Sequence, residues 1–180
     1  EVSFMDIQYI GGSNVTTTLW YGTIIITGDV TVPAGETLTI AEGTDVLMVN
    51  ADQNNDGVGD YDLTVNGTLI VNGTAADPVT FSGFDMLAKT KGGWNRIILN
   101  GAGSIIDYAT IEYADVGLEI KASATVTNTT VRNTSDDCIF INGVNMVSLV
   151  DTDVTNCDGH GVHAANAAGT VITRLSSTTN

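Results

Sequence analysis

Two stretches of the chain carry oxygen-bearing side chains at spacings that suit chemistry. The first is Asn50-Ala-Asp52-Gln-Asn54-Asn-Asp56-Gly57-Val58-Gly-Asp60-Tyr-Asp62. Side-chain oxygens recur at alternate positions 52, 54 and 56, followed by a glycine, a residue whose carbonyl can turn inward, and a further aspartate. A hard divalent cation takes about six to eight oxygen ligands, and a loop of this spacing supplies them around a sharp glycine turn. The pattern reproduces the first nine positions of an EF-hand-type calcium loop. The twelfth position, normally a bidentate Glu, is Leu63, so Asp62 is the substitute. An inserted calcium-binding loop over 50–62 is therefore expected, with Asp52, Asn54, Asp56, Val58, Asp60 and Asp62 as ligands. Without a cation, four carboxylates so close together repel one another. The competing reading is a solvated Asn/Asp/Gly turn.

The second stretch is Asp136-Asp137-Cys138, followed by Cys157-Asp-Gly-His160-Gly161, with Asp115 upstream. Inverting glycoside hydrolysis needs two carboxyl groups held apart with room for a water and a sugar between them. The competing reading is that these are ordinary corner residues of a repetitive fold, and it is preferred. His160 and His163 are three apart, so on a strand they point to opposite faces. No Cys/His set has zinc spacing, and no zinc is expected. G-x-S-x-G, a phosphate loop and a Cys-His nucleophile context are all missing from the sequence. Thr-x-Thr runs such as Thr37-Leu-Thr39 do not recur at equivalent places, which argues against an ice-binding face.

The elements that must position these residues are legible between Ile105 and Ala164, where one unit is written three times. Tyr108-Ala-Thr-Ile111-Glu-Tyr113, Asn128-Thr-Thr-Val131-Arg-Asn133 and Asp151-Thr-Asp-Val154-Thr-Asn156 align, with the apolar anchor recurring after 20 and then 23 residues. Leu175 is the next expected anchor, 21 further on. A second apolar patch follows each anchor, in Leu118-Glu-Ile120, Ile139-Phe-Ile141 and Val162-His-Ala164. Such a period is that of a solenoid. No segment sustains a 3.6-residue periodicity, so the repeats are not helical. The chain is expected to coil with ~20 residues per turn, rising by one strand spacing of ~4.8 Å each time. That is a parallel β-helix, right-handed by the crossover rule, all-β, a single domain over 1–180 with about 8–9 coils. Residues one coil apart then stack, which brings Asp115, Asp136 or Asp137, and His160 to one wall. Asn133 and Asn156 fall on the same turn position and either form an amide ladder or merely suit a tight turn. Phe4-Met-Asp-Ile7-Gln-Tyr9 matches Tyr108–Tyr113 position for position, so the chain is expected to begin in mid-solenoid. Residues 83–93, with Lys89 and Lys91, read as a protruding, solvated excursion before Trp94 restores the pattern.

Composition sets the class. The 180 residues are 43% hydrophobic but only 6% aromatic, which suits a long thin aliphatic core. Six Lys plus Arg against 21 Asp plus Glu leave a formal charge of −15, which repels nucleic acid and anionic membranes and favours cations. No apolar run approaches the ~18 to 20 residues of a membrane span. The start at Glu1, without Met, is expected to reflect a removed leader or excision from a longer chain. An acidic, Thr/Asn-rich, lysine-poor composition fits an extracellular or cell-surface location. Sequons at Asn14, Asn66, Asn72, Asn128 and Asn133 permit glycosylation there.

Two resemblances add to this reading. Val30-Thr-Val-Pro-Ala-Gly-Glu-Thr-Leu-Thr-Ile-Ala-Glu-Gly-Thr44, with Leu63-Thr-Val-Asn-Gly-Thr-Leu-Ile-Val-Asn-Gly-Thr-Ala-Ala-Asp-Pro-Val-Thr-Phe81 and Gly-Gly-Trp94-Asn-Arg-Ile, resembles the opening block of secreted bacterial and archaeal right-handed parallel β-helix surface proteins. The likeness covers roughly Trp20 to Ile111 and implies architecture, not chemistry. The Asp136-Asp137-Cys138 and Cys157…Gly-His160-Gly motifs resemble the polygalacturonase family of glycoside hydrolases. That resemblance implies Asp136 as general acid, Asp115 and Asp137 activating water, His160 supporting the site, and a Cys138–Cys157 disulfide. The chain departs from it: Tyr-Ala-Asp115-Val replaces N-T-D, and the downstream R-x-K is missing, Arg174 being the only late basic residue. In the repeat alignment the two cysteines are offset by about four residues, which puts the ~7 Å Cα limit for a bridge in question. The function expected is a calcium-stabilised, non-catalytic structural or adhesive module of an extracellular surface protein. It is expected to associate end to end with copies of itself or with neighbouring repeats, and to contact carbohydrate if it is adhesive. The rival is a polysaccharide-active enzyme acting on acidic glycans.

Overall fold

The computed structural model describes residues 6–84, 89–143 and 146–178. Every strand pairs in parallel, and no helix occurs among the described residues. The chain is a parallel β-helix with three strands per coil. The first face stacks Ile7–Ile10, Thr23–Ile26, Asp45–Val49, Val79–Phe84, Ala109–Glu112, Thr130–Arg132 and the later half of Val147–Thr155. The second stacks Ser13–Asn14, Val30–Val32, Asp62–Val65, Arg96–Leu99, Leu118–Ile120, Ile139–Asn142 and Val162–Ala165. The third runs from Thr18–Trp20 through Thr37–Ile40, Thr68–Asn72, Ser104–Asp107 and Ala124–Thr127 into the earlier half of Val147–Thr155. The second face is seven strands deep, and Val171–Thr178 carries the stack into an eighth coil.

Alternation along each strand drives this packing, because successive side chains point in and out. On the first face Val46, Phe81, Ile111, Val131 and Val154 lie in register, all fully buried. On the second face Val30, Leu63, Ile97, Leu118 and Ile139 do the same. Each buried aliphatic contributes about 1.5–3 kcal/mol over exposure, and the column is uninterrupted by a charged side chain. β-branched residues suit it because they are stiff and pack on a pleated surface.

The corners are as repetitive as the strands. Tyr108, Asn128, Asp151 and Arg174 occupy one corner with φ between 48° and 55°, and Tyr113, Asn133 and Asn156 another with φ between 57° and 64°. Asn and Asp tolerate this left-handed conformation, whereas for Tyr it costs about 1–2 kcal/mol. Asn156 Nδ2 donates to Asn133 Oδ1 at 2.7 Å, so the asparagines both fit the turn and form a ladder rung. At a third corner Gly67 and Gly101 stack backbone on backbone. A Cβ on Gly101 would lie 1.9 Å from the Gly67 carbonyl oxygen, so the coils can only close there without a side chain.

The expected repeat register holds from Tyr108 to Ala164 and fails outside it. Ile7 pairs with Thr23, which aligns through Asp45 and Thr80 with Thr110, so Gln8 rather than Ile7 takes the place of Ile111. A one-residue slip reverses the faces, and Ile7 is 49% and Tyr9 70% exposed. Phe4 and Met5 lie outside the described residues. Leu175 pairs with Thr152, and Ser177 takes the anchor position beside Val154. Arg174, ion-paired with Asp151 across the stacked corner, sets that register. Leu175 still points inward because the displacement is two residues. Residues 85–88 of the expected excursion lie outside the described residues; Lys89 and Thr90 are exposed as expected, but the segment is also pinned, with Lys89 Nζ 3.2 Å from Glu112 Oε1 and Lys91 Nζ 2.6 Å from Asp158 Oδ1. Burial pushes the Glu112 carboxyl up, but hydrogen bonds from Arg132, Ser82 and Lys89 outweigh it and hold the pKa below the usual value.

Candidate functional site

The loop before the third strand of the second face is organised by its own acidic side chains. Asp52 accepts the amides of Asp56 at 3.1 Å and Gly57 at 2.9 Å. Asn54 Oδ1 accepts the Asp56 amide, and Asp56 Oδ1 accepts that of Val58. Asp60 holds the Gln53 amide at 2.6 Å and the Asn54 side-chain amide at 2.9 Å. Gly57, at φ 93°, makes the sharp turn. Five of the six expected ligands thus share one closed loop.

Asp62 stands apart from them at the start of the strand Asp62–Val65, where its amide donates to Asp29 Oδ1. Its Oδ1 is buried and has no hydrogen-bond partner among the described residues. Burial, together with Asp29 and Glu119, pushes its pKa up to about 6 against the opposing pull of Arg96. A carboxyl with a raised folded-state pKa binds more protons folded than unfolded, so its contribution to stability falls as pH rises from about 4 to about 6. In calcium-free solution Asp62→Asn is therefore expected to stabilise the protein by about 1–2 kcal/mol at pH 7, after allowance for partial solvent screening, and by nothing near pH 4. Urea denaturation of the two proteins at both pH values checks this. An equal difference at the two pH values would show that the burial cost is not that of a charge.

The second cluster sits where the first face turns into the second. The Asp136 amide donates to the Asp115 carbonyl at 2.9 Å and the Gly159 amide to the Asp136 carbonyl at 3.0 Å, so Asp115, Asp136 and the His160 segment occupy three successive coils as expected. Asp137 is held on both oxygens. Oδ1 accepts the His160 amide at 2.7 Å and meets His160 Nδ1 at 2.9 Å, while Oδ2 meets His163 Nδ1 at 2.8 Å. Burial raises the Asp137 pKa, but these contacts dominate and lower it overall. Asp136 goes the other way: burial, then the charges of Asp137 and Asp115, raise it. Asp115 accepts the Ser135 hydroxyl at 2.7 Å and pairs with Arg96 at 3.4 Å.

One expectation about this corner is corrected, and the disulfide that the resemblance implies is present. His160 and His163 do not diverge: their ring centroids are 4.9 Å apart. The alternation rule applies within a strand, and His160 lies in the corner before Val162–Ala165. Cys138 and Cys157 are bonded, with Cα atoms 5.5 Å apart, well inside the limit that the repeat alignment put in doubt. Cys157 sits over Thr134, its neighbour Asp158 donating to the Thr134 carbonyl, and the corner folds Cys138 back to within 3.5 Å of the Thr134 hydroxyl. A linear offset of about four residues is thereby removed. Arg96 was missed by motif reading. It bridges Asp115 and Glu119 and opposes the charge of Asp62, and its only sequence signal was a lone base on the outer side of a strand. Comparison with known proteins finds no matching family model, no matching curated protein and no matching solved structure.

Proposed function

We propose that the chain is a non-catalytic structural or adhesive module of an extracellular or cell-surface protein, stabilised by calcium. The observation that carries the reading is the state of the acidic corner. Both oxygens of Asp137 and both oxygens of Asp115 already accept contacts from neighbouring protein groups, which supports a role for them in tying the coils together rather than in activating a water. The rigid stack of in-register coils supplies what a structural module needs. The Cys138–Cys157 bridge and the exposed sequon residues Asn14, Asn66, Asn72 and Asn128 support an oxidising, extracellular setting. Calcium would be held by Asp52, Asn54, Asp56, the Val58 carbonyl and Asp60. The unpartnered Asp62 oxygen supports a cation at the edge of that loop.

The module associates end to end with copies of itself or with neighbouring repeats. Among the described residues Ile7–Ile10 and Val171–Thr178 are each paired along one edge, and Tyr9, Val171 and Ile172 are exposed beside them. An adhesive surface of this kind would take carbohydrate. The rival reading, hydrolysis of acidic glycans, is favoured by one observation: Asp136 has a raised pKa beside Asp115, as a general acid requires. A reducing-sugar assay on pectate and related acidic glycans decides between them. No release of reducing ends is expected, and turnover abolished by Asp136→Asn would replace the structural reading with the enzymatic one.

A further inference from the structure

We propose that Asp137, His160 and His163 form a binding site for a divalent transition-metal ion, separate from the calcium loop. One ligand atom from each residue lies within 4.8 Å of the other two. The two Nδ1 atoms stand 2.9 Å and 2.8 Å from the carboxylate oxygens. Ligands ~2.1 Å from an ion and at right angles lie ~3.0 Å apart, whereas a tetrahedral pair lies ~3.4 Å apart. The two observed spacings are hydrogen-bond contacts to different Asp137 oxygens, so a bound ion would take the place of the shared protons and draw one oxygen and both nitrogens onto a common centre. A two-histidine, one-carboxylate set occupying one side of an octahedron, with the remaining positions open to water, suits nickel, cobalt or iron(II), and imidazole nitrogens make it a poor calcium site.

The surroundings hold the three groups in place without an ion. The His160 amide fixes the Asp137 carboxylate at 2.7 Å, and His163 rests against Phe140 with ring centroids 4.8 Å apart. Such outer contacts orient metal ligands. Gly159 lets the chain pass close: a Cβ there would lie 2.5 Å from Asp136 Oδ1 and 2.7 Å from Asp137 Oδ1. The Cys138–Cys157 bridge ties together the two coils that carry the ligands. The Asp137 side chain is only 8% exposed, while those of His160 and His163 are 70% and 44% exposed, so a desolvated anion is reached through two accessible imidazoles. The formal charge of −15 concentrates cations at this surface.

Calorimetric titration of the tag-free chain with nickel chloride at pH 7.5 or so, in saturating calcium, tests the site, with cobalt(II) absorption reporting the ligand set. One ion per chain is expected. His160→Ala and His163→Ala, both at exposed rings and checked for folding by circular dichroism, should each weaken binding by at least about a hundredfold, the upper range for loss of a merely supporting contact. Asp56→Ala, in the calcium loop, should leave nickel binding unchanged. The proposal is overturned if no saturable binding near one ion per chain is found, or if binding survives both histidine substitutions. In either case the three side chains are a hydrogen-bonded cluster only.

Discussion

Replacing Cys138 and Cys157 together by alanine, or reducing the bridge, is expected to lower the stability of the folded chain by about 3 kcal/mol, as a loop of this length predicts. The bridge links residues 19 apart and so restricts the unfolded chain, while in the folded state both cysteines are buried in the aliphatic column. It joins two neighbouring coils at the corner where Thr134 supports Cys138, so its loss also loosens the segment bearing His160 and His163. For a chain of this size the shift in melting temperature is about 6–12 °C. Thermal melts followed by circular dichroism, with and without reductant, measure it. The idea fails if the melting temperature is unchanged once labelling under denaturing conditions has shown two free thiols.

Chelation of calcium is expected to have the next largest effect. A cation bound only by the folded loop stabilises by about 2.7 kcal/mol at a hundredfold excess over its Kd, or roughly 5–10 °C. The loop amides that now bond to Asp52, Asn54 and Asp56 keep the turn formed without the ion, so chelation should lower the melting temperature without unfolding the solenoid. Asp56→Ala should abolish the dependence on calcium. Asp62→Ala separates the loop from its outlier: an undiminished affinity would show that the five loop ligands suffice, with water completing the shell. Identical melting temperatures in calcium and in chelator, with no heat of binding that Asp56→Ala removes, would leave the stretch a simple turn.

The architecture was legible in the chain alone, because the code for it is local. Alternation in Leu118-Glu-Ile120 and Ile139-Phe-Ile141 decides which side chains point inward, and turn residues at fixed intervals decide where each strand stops. A period near 20 residues then leaves stacking as the way to bury those faces. The turn at 52–60 was equally legible, since the Asn, Asp and Gly residues that close it follow one another along the chain. Registers at Ile7 and Leu175 were not. There the apolar spacing admits a slip of one or two residues, and the choice is made by partners on other coils, Thr23 for Ile7 and Thr152, with the Arg174–Asp151 pair, for Leu175. The acidic corner was half legible. Stacking predicted that Asp115, Asp136 and His160 would share a wall, but strand alternation mispredicted His163 and linear offset misjudged the cysteines. Both errors arise at corners, where the chain turns on left-handed residues such as Asn133 and Asn156 and sequence distance ceases to measure spatial distance. That two imidazoles converge on the oxygens of Asp137 emerges in the folded chain, because the convergence is set by a corner of one coil lying over a corner of the next.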